Sequence, residues 1–355
     1  MDAQQKIREL EAEIHKTQKN KATEYHIGVL KAKIAKLRKL QFSKKSSGGG
    51  GGFDIKKQGD ATVVIVGMPS VGKSTLLTKL TNAESEIGAY EFTTLRCIPG
   101  MLQYKGTSIQ LLDLPGIIRG AKEGRGRGKE VISVVRSADL ILILLDASNL
   151  DSHKMIEEEL EGFGIRLNRN PPDVTIKKLV KGGVTLTSTK KLTKISKNEV
   201  VAALNEFGIH NATVVIRENI AIDDMIDVIA KNRVYTPAIV AVNKVDISKK
   251  GIPPSYLQIS ADKDIGLDEL REEIYKKLGL MKIFTKRHGE EPNMEEPMIL
   301  RKGQTIGNFC DGVHRGMRKI FRYSLVWGKS AKYPGQRVGL NHKLQDGDIV
   351  QIVKR

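Results

Sequence analysis

Hydrophobic positions change their period several times along the chain, and each change marks a different kind of element. Near the start, Ile7, Leu10 and Ile14 recur at helical spacing, and Ile27, Leu30, Ile34 and Leu37 follow a 3-4-3 rhythm. Two amphipathic helices joined near Thr17–Lys21 satisfy both stripes and make residues 1–47 a helical hairpin. The apolar stripes would pack the hairpin on itself or on a neighbour. Lys31, Lys33, Lys36, Arg38 and Lys39 are then left to face a partner. Five consecutive glycines, Gly48 to Gly52, follow Ser46–Ser47 and make residues 48–60 a flexible linker.

From Ala61 the pattern becomes short apolar runs alternating with helical stripes. Strands are predicted at Thr62–Val66, Ser108–Asp113, Leu140–Asp146, Ala238–Asn243 and Tyr256–Ser260, and helices at Gly72–Thr81, Lys129–Ser137, His153–Gly162 and Leu267–Leu278. Such alternation predicts an α/β fold with a mostly parallel sheet and helices on both faces, spanning 61–164 and 234–281. Residues 165–233 interrupt it with strands at Val174–Ile176, Val184–Thr187 and Thr213–Ile216 and a helix at Asn198–Phe207. That stretch is too long and too structured for a loop, and reads as an inserted α+β subdomain. Residues 282–355 turn β-rich and end on an alternating strand, a small separate domain.

Composition narrows the class. A chain of 355 residues with 28% charged and 40% apolar residues is long enough for several ordinary cores. The longest apolar run, Leu140 to Leu145, is far too short to cross a bilayer, and the charged N-terminus has no apolar signal core. With only Cys97 and Cys310 there is no disulfide framework, so a cytoplasmic location is expected. The net charge of +18 is unevenly placed. Lys and Arg outnumber Asp and Glu by 12 to 5 in residues 1–47, 12 to 7 in 165–233 and 15 to 7 in 282–355. The basic excess lies outside the α/β core, which favours RNA or the ribosome as partner over a membrane. The seven histidines show no ligand spacing.

The chemistry sits at the strand ends. Gly67-Met-Pro-Ser-Val-Gly-Lys-Ser74 matches G-x-x-x-x-G-K-[ST] between a predicted strand and helix. Backbone amides across Gly67, Pro69, Ser70, Val71 and Gly72, and on to Thr75, can cradle a β-phosphate at the positive end of the helix. Lys73 supplies charge to the β- and γ-phosphates, and the Ser74 hydroxyl is a Mg²⁺ ligand. Asp113-Leu-Pro-Gly116 ends the next strand, 40 residues after Lys73. Its carboxylate would face Mg²⁺ through a water, and the Gly116 N–H would sense the γ-phosphate. Thr93 or Thr94 offers a further Mg²⁺ ligand. The base is specified by Asn243-Lys-Val-Asp246. A carboxylate there accepts two bonds from guanine N1–H and N2–H₂, which adenine cannot supply. Lys244 would cover the base with its stem, and amides of Ser260 and Ala261, the latter above all, would meet guanine O6.

Several stretches resemble the developmentally regulated GTP-binding (Drg) family of the Obg-related GTPases, and its archaeal members in particular. They are Gly88-Ala-Tyr-Glu-Phe-Thr-Thr-Leu95, Asp113-Leu-Pro-Gly-Ile-Ile118, the glycine-rich 120–128, Asn20–His26 and Leu30–Arg38. The resemblance implies a helical N-terminus, a P-loop G domain carrying an inserted subdomain similar to part of a ribosomal protein, and a C-terminal TGS domain tied to RNA or ribosome contacts. It also implies a role in translation, and it points to Thr94 rather than Thr93 as the Mg²⁺ ligand. Lys73, Thr94 and Gly116 become the expected catalytic set.

Ras-type GTPases orient the attacking water with a Gln after D-x-x-G. Here that position is Ile117, which has no hydrogen-bonding group, so slow intrinsic hydrolysis is expected. Some relatives lacking the Gln use K⁺ held by a P-loop Asn, and Ser70 at that position leaves K⁺ activation open. Arg119, Arg125 and Arg127 are candidates for an internal arginine finger, for RNA contact or for plain solvation. The leading expectation is a Mg²⁺-dependent GTP hydrolase acting as a monomeric switch on the ribosome, with a regulatory protein as a further partner. The alternative is a nearly inactive GTP-binding adaptor.

Overall fold

The computed structural model describes residues 3–18, 20, 23–43, 58–81, 98–114, 128–247 and 251–354. In chain order, helices α1 (Ala3–Lys16) and α2 (Glu24–Ser43) come first. They are followed by β1 (Ala61–Val66), α3 (Lys73–Leu80), β2 (Ile98–Tyr104), β3 (Thr107–Asp113), α4 (Gly128–Ser137), β4 (Leu140–Asp146) and α5 (Ser152–Gly162). Next come β5 (Ile165–Leu167), β6 (Val174–Lys178), β7 (Val184–Ser188), α6 (Lys197–Glu206), β8 (Ala212–Ile216), α7 (Ile222–Ala230) and β9 (Val234–Thr236). The chain continues through β10 (Ala238–Asn243), β11 (Leu257–Gln258), α8 (Leu267–Leu278), β12 (Leu280–Thr285) and β13 (Asn293–Arg301). It ends with α9 (Ile306–Val313), α10 (Met317–Ile320), β14 (Phe321–Trp327), β15 (Gln336–Val338) and β16 (Ile349–Lys354). Two compact units result: residues 1–54 with 160–235, and residues 55–159 with 236–355.

In the second unit, six strands form one sheet in the order β11-β10-β4-β1-β3-β2. Every neighbouring pair is parallel except β2 against β3. β1 and β4 are buried throughout, save Asp146 at the end of β4. Continuous Val, Ile and Leu runs suit central strands covered on both faces. One face packs Val63, Ile65, Leu142 and Leu144 against Leu76 and Leu80 of α3 and Leu270 and Ile274 of α8. Val64, Val66, Ile141 and Ile143, alternating with these, are equally buried. Because β1 lies between β3 and β4, the connections leaving its neighbours diverge at its carboxyl end, where open α/β sheets bind ligands.

The C-terminal sheet runs β13-β12-β16-β14-β15 and packs Ile283, Val326 and Val350 against Phe309 and Cys310 of α9. Arg301 pairs with Asp139 at 2.7 Å, and the Lys302 N–H donates to Gly279 O at 2.8 Å, tying this sheet to the α/β layer of the same unit. Of the aromatics near its basic residues, Phe321 is core. Tyr323 is half-buried beneath Arg337, whose guanidinium carbon lies 4.0 Å from the ring centre, and Trp327 has Lys286 at 5.2 Å.

In the first unit, α6 and α7 cover one face of a three-stranded sheet ordered β6-β8-β7. α6 opens on a reciprocal cap in which Ser196 and Glu199 satisfy each other's backbone N–H. Helix α2 lays Ala32 and Ala35 against Ile226, small side chains that let helices approach closely. This docking corrects the expectation for the basic arm. Lys31 is paired with Asp223 at 2.6 Å, Lys36 donates to Glu206 O at 2.6 Å, and Arg38 donates to Gly162 O and pairs with Glu11. Three of the five cations read as free therefore hold the hairpin to its own unit. Asp227, nearly inaccessible, is gripped by Arg166 through two bonds of 2.6 and 2.8 Å and by Arg233 at 2.7 Å.

Candidate functional site: a nucleotide cleft at the carboxyl end of β1

The loop between β1 and α3 needs glycine twice for steric reasons. At Gly67 a Cβ would stand 2.4 Å from Leu144 O, and at Gly72, with φ +92°, it would stand 2.4 Å from Asn243 Nδ2. Ser70 also adopts a left-handed backbone, φ 63°. The chain thus wraps into a cleft of about 500 Å³ lined by Pro69, Ser70, Gly72, Lys73, Ser74, Thr75 and Asp113. Val71 instead turns its side chain into the core.

Lys73 bends back over the loop, donating to Gly67 O at 3.1 Å and Met68 O at 2.9 Å. Burial pushes its pKa down, partly countered by the Asp113 charge. Ser74 Oγ donates to Asp113 Oδ2 at 2.8 Å, so the ends of the P-loop and of β3 meet. Asp113 Oδ1 is buried with no hydrogen-bond partner among the described residues. A buried carboxylate oxygen left in that state is costly unless a cation or its water occupies the other side. The donor set fits a hard divalent cation.

Asn243 joins three segments. Its Nδ2 donates to Val71 O at 2.9 Å, and its Oδ1 accepts from the Ala261 N–H at 2.9 Å. The Ala261 amide, expected to meet guanine O6, is thus committed to Asn243 in this structure. Ser260 is buried and accepts from the Lys263 N–H. Lys244, with φ 65°, donates from Nζ to Ser70 O and Asp146 Oδ2, each at 2.8 Å. Asp246 is exposed. Thr94, Gly116, Ile117, Arg119, Arg125, Arg127 and the glycine run lie outside the described residues.

Residues 62–178 match the family described as 50S ribosome-binding GTPase, residues 181–280 the C-terminal region of that domain, and residues 281–354 the TGS domain. Over 99% of its length the chain is 53% identical to a GTP-binding protein of Methanocaldococcus jannaschii, covering 93% of it. It is 51% identical to Developmentally-regulated G-protein 3 of Arabidopsis thaliana, across 99% of this chain and 98% of that one. It is 48% identical to Developmentally-regulated GTP-binding protein 2 of Mus musculus, across 99% of each. The chain belongs to the developmentally regulated GTP-binding protein family.

As a member of this family it is a P-loop GTPase, a GTP hydrolase with a C-terminal TGS domain. No helix among its described residues is long and apolar enough to cross a membrane. One residue that holds Lys244 of this GTPase escaped the sequence reading. Asp146 closes an apolar strand, and its carboxylate accepts from Ser148 N–H at 2.8 Å and Ser148 Oγ at 2.6 Å while holding Lys244. The available signal was an isolated acid at the carboxyl end of a core strand beside β1.

Proposed function

We propose that this GTPase is a Mg²⁺-dependent conformational switch that works on the ribosome or its RNA and turns over slowly alone. The observation that carries the nucleotide part is the Ser74–Asp113 bond beside the unpartnered Asp113 Oδ1. In this reading Ser74 and Thr94 would hold Mg²⁺, and the Asp113 carboxylate would support it from the end of β3. The cation, when bound, neutralises charge on the β- and γ-phosphates. Lys73 leaves the carbonyls of Gly67 and Met68 for those phosphates, and P-loop amides hold the β-phosphate. Asn243, Lys244 and Asp246 hold the guanine, with Ser260 and Ala261 behind it. Gly116 reports the γ-phosphate to the segment that follows it.

Ile117 offers the attacking water nothing, so positioning is left to backbone, a cation such as K⁺, or a partner. The basic excess outside the α/β core supports an RNA-rich partner, in line with the description of the family model matched by residues 62–178. Cosedimentation with ribosomes in GTP, GDP and a non-hydrolysable analogue tests the switch, which requires binding that differs between nucleotides. Equal pelleting in all three sinks it. Single-turnover hydrolysis with and without ribosomes separates the switch from an inactive adaptor, which hydrolyses GTP in neither case.

A further inference from the structure

The inserted subdomain has one covered face and one open face. Val174, Ile176, Val184, Leu186, Val214 and Ile216 point to α6 and α7. The alternate residues form a grid on the other side. One row runs Thr175, Val215, Thr187 across β6, β8 and β7, and the next runs Lys177, Thr213, Thr185. Thr175, Lys177, Thr185 and Thr187 are exposed, and Thr213 and Val215 are half-buried. Apart from Val215, hydroxyls and one ammonium thus replace the aliphatic groups of a covered face.

The charge around this grid is one-sided. Residues 174–198 contain seven lysines, no acidic residue and no aromatic residue. Lys177, Lys178 and Lys181 lie on β6 and the loop after it, and Lys190, Lys191 and Lys194 lie on the loop after β7. None of these six forms an ion pair among the described residues, whereas Lys31, Lys36 and Arg38 of α2 are held by partners in their own unit. The flanking Asp173 is already paired with Arg217 at 3.0 Å, and Arg217 also donates to Thr175 Oγ1.

We infer that this open threonine–lysine face is a docking surface for double-stranded RNA. Without aromatic rings it has no platform on which unpaired bases can stack, the usual device for single strands. Lysines at both ends of the sheet suit phosphates on either side of a groove. Threonine hydroxyls, able to donate and accept, suit the 2′-hydroxyls displayed in the wide minor groove of A-form RNA. The inference rests on the RNA-associated reading above and places one contact of that reading on a particular surface.

The test measures binding of the full chain to an RNA duplex of about two helical turns, to one of its single strands, and to the DNA duplex of the same sequence. It does so over a salt series. The wild-type chain should prefer the RNA duplex. A variant carrying K177Q, K178Q and K181Q should flatten the salt dependence by about one unit of log–log slope per lost phosphate contact. A variant carrying T185V, T187V and T213V should keep that slope and lose the preference for RNA over DNA duplex. Both should retain wild-type GTPase activity and unfolding midpoint, since none of the six side chains lines the nucleotide cleft or belongs to the subdomain's apolar core. If both variants bind as wild type does, the surface assignment falls while the RNA-associated function stands. Tighter binding of the single strand, or binding of an acidic protein but no RNA on this face, also overturns it. A wild-type chain that binds neither RNA nor ribosomes overturns both readings.

Discussion

Asp146 fixes Lys244 to the loop between β1 and α3: its carboxylate lies 2.8 Å from Lys244 Nζ, and the same ammonium donates to Ser70 O. Lys244 is anchored before any base arrives, so the orientation of its stem is set by the fold. Replacing Asp146 with Ala should raise the Kd for guanine nucleotides about tenfold, at the weak end for bonds to charged groups because the Lys244 side chain is 35% exposed. The D146N variant, keeping hydrogen bonds but not charge, should stay within about threefold. Fluorescent GDP titration reads both. Burial pushes the Asp146 carboxyl up, but bonds from Lys244 and Ser148 and the lysine charge outweigh it and hold the pKa below its ordinary value. The anchor should therefore be constant from neutral pH down to the usual carboxylate range near ~4, and be lost only as pH falls through the lowered pKa.

Gly72→Ala should abolish tight nucleotide binding. An alanine at φ +92° is strained by about 1–2 kcal/mol, and its Cβ collides with the Asn243 amide that holds Val71 and Ala261. Relief requires the asparagine to move, which releases both loops. Loss of fluorescent GDP binding with a small drop in melting temperature is the expected pair of results. Unchanged affinity would show that the Asn243 contacts do not organise the cleft.

Much of the α/β layer was legible because its signals are local. The Leu140–Asp146 and Ala238–Asn243 strands and the Leu267–Leu278 helix were read with the bounds the structure has, since continuous apolar runs and a 3-4-4 stripe leave little choice. β2 was missed because Pro99 and Gly100 break its pattern; as an antiparallel edge strand it tolerates both. The predicted strand Tyr256–Ser260 shrinks to Leu257–Gln258, its neighbours being drawn into the loop that Asn243 and Ile265 hold. The partners of Lys31 and Lys36 lie 192 and 170 residues away, so the docking of α2 left no mark a helical wheel could show.

Asp227 provides a test of the unit built on that docking. Its side chain is 3% exposed, and the two arginines it bridges are 12% and 8% exposed. Asp227→Ala would leave two guanidiniums buried without their counter-charge, a change that costs about 3–5 kcal/mol. Hydrogen exchange at α2 and α7 should accelerate strongly while the α/β layer keeps its protection. Uniform acceleration throughout the chain would mean that the two units unfold as one.

Lys73 should give hydrolysis an early alkaline limb. Burial lowers its pKa from 10.5, with the Asp113 charge opposing, so the free enzyme loses this ammonium at a lower pH than an exposed lysine would. Bound phosphates favour the charged form and raise the pKa again. The pH dependence of kcat/KM, which reports the free enzyme, should therefore fall before that of kcat, which reports the complex. The K73M variant should lower kcat/KM by about 10²–10³, the usual loss on deleting one group that stabilises developing charge, and should erase the limb. If kcat and kcat/KM fall at the same alkaline pH, or the limb survives in K73M, the titrating group is not Lys73.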